Sequence, residues 1–117
     1  MIQLLLGFVS WCKVYSLGGN EYGMSGVSIG SRTYVVGYIN NGRDAIILKI
    51  DSLGDVISHK VYDFRYNSEV FYKIRHFPAD NTLFVLGMAG PQIGEKYAVI
   101  MKVDTLLNTV WWVGERV

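Results

Sequence analysis

A chain of 117 residues has the length of one domain, and half of those residues are hydrophobic, which excludes a disordered segment and supplies a core. The formal net charge is +1 with no long basic run, so no face concentrates enough cations to hold a phosphate backbone, and nucleic acid is excluded as a main partner. No stretch reaches the roughly 18 consecutive apolar residues of a membrane helix, so no membrane partner is expected. The lone Cys12 permits no internal disulfide and leaves the compartment open.

In chain order, the opening "MIQLLLGFVSW" is apolar but short. It has no basic region before it and no small-residue cleavage site after it, and is not expected to be a signal peptide. "FVSWCKVY" then reads as a strand, and "GMSGVSIG" from Gly23, a poor helix with its glycines, as another. "TYVVGYI" from Thr33 has the Tyr, Val and Ile that suit a pleated surface. Asn41-Gly42 marks a hairpin, because both residues tolerate positive φ. "DAIILKID" from Asp44 is a short apolar run of the kind covered on both faces. "DSLGD" closes the next hairpin with Gly54 in a left-handed conformation, and "VISHKVYD" from Val56 follows as a strand. "SEVFYKIRHF" from Ser68 has a pattern that also fits a short helix, but is expected to be a strand with Val70, Tyr72, Ile74 and His76 on one face. "PADNT" at Pro78 to Thr82 and "DTLLN" at Asp104 to Asn108 are turns, and "NTVWWVGER" is the last strand.

These elements repeat. Lys-Val-Tyr occurs at Lys13 and again, 47 residues on, at Lys60. "YVVG" at Tyr34 matches "FVLG" at Phe84 with an offset of 50, and "AIILKID" at Ala45 matches "AVIMKVD" at Ala98 with an offset of 53. The drift implies small insertions in loops of the second copy, with "AGPQIGEKY" against "YINNGRD" as one candidate. The expectation is an all-β single domain over 1–117, made of two tandem repeats at about 11–57 and 58–110 with a third repeat start at 111–117. Each repeat holds four short antiparallel strands, giving eight or nine in all. A surplus fourth strand, "FVSWCKVY", precedes the first set, and "NTVWWVGER" completes the second. A β-sandwich is the alternative architecture. Gly37 and Gly87, which close equivalent strands in this reading, are expected where a neighbouring backbone or blade comes close, or where φ is unusual.

The pattern Trp11, Gly18-Gly19, "YVVG" to Gly37, then Asp44, Lys49, Asp51 and Gly54 resembles a known type of β-propeller repeat over nearly the whole chain. The second copy departs from it: Ser58 stands for the Trp, "DFRYN" for the Gly-Gly turn, and Leu107 or Asn108 for the hairpin glycine, before Trp111 restores the aromatic. The resemblance implies propeller-type blades. It implies little about activity, since many members are repetitive extracellular or surface proteins. Propellers have four to eight blades, so two must be completed. A homo-oligomer is expected, with a trimer of six blades favoured, as in a family of small two-blade lectins; a dimer or tetramer, or a longer parent protein, would serve as well.

Catalytic motifs are absent: no Gly-x-Ser-x-Gly, no phosphate-binding Gly-rich loop, no His-Glu-x-x-His. His59 and His76 fall at different phases of the repeat and are read as strand residues, and no metal or cofactor is expected. Cys12 reads as a small buried thiol. Asp51 and Asp104, like Lys49 and Lys102, are equivalent in the two copies; a carboxylate recurring once per repeat at a strand end reads as a turn cap, not a catalytic pair. Trp11, Trp111, Trp112 and the tyrosines offer faces for sugar rings, with Glu115 and Arg116 near to bond hydroxyls, although aromatics also fill β-cores and oligomer interfaces. The expected function is a non-catalytic structural or interaction module that self-associates and takes a protein or glycan ligand. A carbohydrate-binding lectin with aromatic-lined sites between blades is the alternative, ahead of an enzyme whose site is assembled between subunits.

Overall fold

A computed structural model describes residues 22–39, 44–64, 68–90 and 96–116. They form eight strands and no helix: β1 Tyr22–Ile29, β2 Arg32–Ile39, β3 Asp44–Ile50, β4 Val56–Tyr62, β5 Ser68–Phe77, β6 Thr82–Gly90, β7 Tyr97–Val103 and β8 Thr109–Arg116. The fold is all-β. Strands β1 to β4 make one four-stranded antiparallel sheet and β5 to β8 the other, each in sequential order. The closing strand "NTVWWVGER" completes the second sheet as β8. The expected surplus strand "FVSWCKVY" with Trp11 and Cys12, the Asn41-Gly42 turn and most of the "AGPQIGEKY" insertion lie outside the described residues.

The two sheets repeat each other in detail. Tyr34 pairs with Lys49 in the first as Phe84 pairs with Lys102 in the second. Register shifts interrupt β1 between Gly23 and Ser25 and β5 between Phe71 and Lys73, at equivalent places. The second shift corrects the expectation that Val70, Tyr72, Ile74 and His76 share a face. Tyr72 is the extra residue of the bulge, and a one-residue insertion reverses the alternation, so Val70 lies opposite to Ile74 and His76. Gly37 and Gly87 lie inside β2 and β6 instead of closing them, and a Cβ at either would run into a carbonyl oxygen of the adjacent strand, Tyr22 or Val70 respectively.

The hairpin turns follow the aspartates. Asp51 Oδ1 accepts the backbone N–H groups of Leu53 and Asp55, each at 2.9 Å, and Asp104 Oδ1 accepts those of Leu106 and Asn108 at 2.9 and 2.8 Å. Both turns place their fourth residue in the left-handed region: Gly54 at φ 85° and Leu107 at φ 69°. Gly54 adopts it without steric cost. Leu107 does not, and its side chain is fully buried in the core.

Each strand alternates between two faces. The front face carries Tyr34, Val36, Ala45 and Ile47 in the first sheet and Phe84, Leu86, Ala98 and Ile100 in the second; the back face carries Val35 and Leu48, and Val85 and Met101. The core forms where the front of the first sheet meets the back of the second. Tyr34, Val36, Ala45, Ile47 and Tyr62 pack on Phe71, Ile74, Leu83, Val85, Met101 and Val103. Burying each large side chain of that set contributes about 1.5–3 kcal/mol. Unlike faces therefore meet, the arrangement that can continue to a further unit.

Candidate functional site: the joint, the groove and the open face

The joint between the sheets is closed by the Asp104 turn. Tyr62 Oη donates to the Leu107 carbonyl at 2.7 Å, Tyr34 Oη to the Thr105 carbonyl at 3.3 Å, and Lys49 Nζ to the same Thr105 carbonyl at 2.9 Å. Three strands of the first sheet thus hold one turn of the second. Burial pushes both tyrosine hydroxyls above their ordinary range, Tyr62 the more strongly, and the Asp104 carboxylate adds to the effect. A neutral hydroxyl is the form that can donate these bonds.

Beside the joint lies an open groove of about 430 Å³ between β4 and β8. Lys60, Asp63, Phe64, Thr109 and Trp112 line it, with the Trp112 and Phe64 rings 4.7 Å apart and tilted by 48°. Its lining combines aromatic rings with polar groups, a combination suited to a ligand with an apolar face and hydroxyl edges.

The front face of the second sheet is the repeat of the covered face of the first, yet it is open. Leu86, Ile100 and Val113 form one row across it and are 45%, 43% and 54% exposed. Phe84, Lys102 and Trp111 form the next row, with Trp111 half-exposed. Phe77 and Trp111 both meet Phe84 edge-on, and Lys102 Nζ lies over the Phe77 and Phe84 rings. Lys102 also pairs with Asp80, and that bond, with a further one from Thr82, holds the Asp80 carboxyl below its usual range. The two equivalently placed lysines therefore serve different ends. Lys49 reaches across the joint, and Lys102 is satisfied within its own sheet.

The residues singled out in the sequence separate. Neighbours on β8 point to opposite faces, so Trp111 and Glu115 lie on the open front and Trp112 and Arg116 on the back with the groove. His76 bonds Asn81 Oδ1 at 2.9 Å inside a turn, and His59 is exposed on the back of the first sheet. Among the described residues no three His, Cys, Asp or Glu side chains gather as a metal site. Missing from the sequence reading was Leu107 as the plug of the joint. Its signal was present: a leucine occupying a turn position that asks for glycine.

The chain matches no protein-family model and no curated protein.

Proposed function

We propose that this chain is a non-catalytic structural or interaction module of β-propeller type that self-associates. The observation that carries the reading is the packing of unlike faces. Two sheets that met through like faces would satisfy each other and finish the structure. Front-on-back packing leaves a second front unmatched, and that front is rich in half-exposed apolar side chains. Asp51, Asp104, Lys49 and Lys102, the residues recurring in both copies, serve turns and joints. Rings of four to eight blades make three copies with six blades the favoured assembly. Light scattering tests this: the solution mass should be a multiple of the 13.2 kDa chain, about 40 kDa for three copies.

A second reading, carbohydrate binding, is favoured by the groove with its half-exposed Trp112. Glycan-array binding that disappears in Trp112→Ala, with the fold retained, would support it; an array without signal would remove it.

A further inference from the structure

We infer that the open front face of the second sheet docks a second copy of this chain, received through the back face of that copy's first sheet. This rests on the self-association proposed above and adds which faces meet and how.

The argument is one of matched volumes. In the joint within the chain, β1 presents small or medium side chains on its front, Ser25, Val27 and Ile29, to a second sheet whose back carries Phe71 and Ile74. The repeat equivalents on the open front of β5 are Lys73, Arg75 and Phe77, all larger. The back of β1 offers the complement: Gly23, Gly26 and Ser28, all exposed, stand where β5 has Phe71, Ile74 and His76. The same exchange recurs at the turns. Sheet one has Ser58 in its Tyr34–Lys49 row and receives Leu107; sheet two has Trp111 in that row, and the turn that a second copy would bring is built on Gly54. Where the open front of β5 is bulky, the back of β1 is bare.

Gly23 sits at the β1 bulge, but nothing among the described residues explains Gly26. Neither has a positive φ, and a Cβ would meet its nearest atom at ordinary distance, 3.6 Å from Val35 Cγ1 for Gly23 and 3.4 Å from the Tyr34 carbonyl for Gly26. Glycine weakens a strand interior and often marks the close approach of another backbone or ligand. Gly37 and Gly87 have that approach within their own sheets; for Gly26 it comes from the second copy. The interface is consequently head-to-tail, each copy using one face as donor and a different face as acceptor.

The test uses variants that damage one face each, in the full chain. Ile100→Asp, with Trp111→Ser as its alternative, spoils the front. Gly26→Phe, with Ser28→Phe as its alternative, fills the back. Circular dichroism selects the variants that retain the β-fold. The expected result is that the wild type associates, that each variant alone is a monomer, and that an equimolar mixture at tens of micromolar gives a heterodimer of about 26 kDa, twice the 13.2 kDa chain, through the one undamaged pair of faces. If the wild type associates but either variant alone does too, or the mixture stays monomeric, the head-to-tail docking is overturned while self-association stands. A monomeric wild type overturns both.

Discussion

Leu107 carries two opposed contributions. A left-handed leucine costs about 1–2 kcal/mol relative to the right-handed form, and complete burial of its side chain returns about 1.5–3 kcal/mol. Leu107→Ala keeps the strain and opens a cavity, and should destabilise by about 3 kcal/mol. Leu107→Gly loses the same packing but releases the strain, and should be milder than alanine by about 1 kcal/mol, the reverse of the usual order in a core. Chemical denaturation of the two variants measures the difference; an alanine variant more stable than the glycine one would contradict the account of the turn. Tyr62 adds a pH dependence. Its folded pKa is raised above the ordinary 10.0 by burial, so its contribution is complete below about pH 10 and is lost as pH rises beyond it. Tyr34 follows the same sign. Alkaline unfolding should begin above that pH, with phenolate absorbance from these two tyrosines appearing only as the β-signal is lost. Tyr62→Phe should move the alkaline midpoint upward while removing about 1 kcal/mol at neutral pH through the lost hydrogen bond to Leu107. Phenolate formation at Tyr62 in the intact fold would refute the joint as described.

At the scale of the element, most of the architecture was legible. The β-branched and aromatic runs gave β2, β3, β6 and β7, and Asp51 and Asp104 announced their turns through the carboxylate that caps them. What escaped has physical reasons. A β-bulge has no side-chain signature of its own, so the extra residue at Tyr72, and with it the reversal between Val70 and Ile74, appears only in the pairing register. Strand alternation shows that two faces exist but not which will meet. The rows Phe84–Lys102–Trp111 and Tyr34–Lys49–Ser58 occupy equivalent places, yet Tyr34 is buried in the joint while Phe84 and Trp111 lie on the open front. For the candidate sites, Trp112 was visible as an aromatic, but its contact with Phe64 depends on how β8 is placed against the end of β4, which is a tertiary property.

For the whole molecule, the relation between the sheets matters more than either sheet. Two similar sheets that meet front to back leave one front without its counterpart, and in the assembly proposed above a ring of copies ends the series. The apolar row Leu86, Ile100 and Val113 is what the series leaves over. Left in water it is an aggregation hazard; covered by a second copy it becomes core. Molar mass in solution by light scattering is the most direct measurement of this claim. The account predicts a discrete multiple of 13.2 kDa at micromolar concentration, with three copies favoured. A well-behaved monomer of 13.2 kDa under the same conditions would contradict it and leave a self-contained pair of stacked sheets.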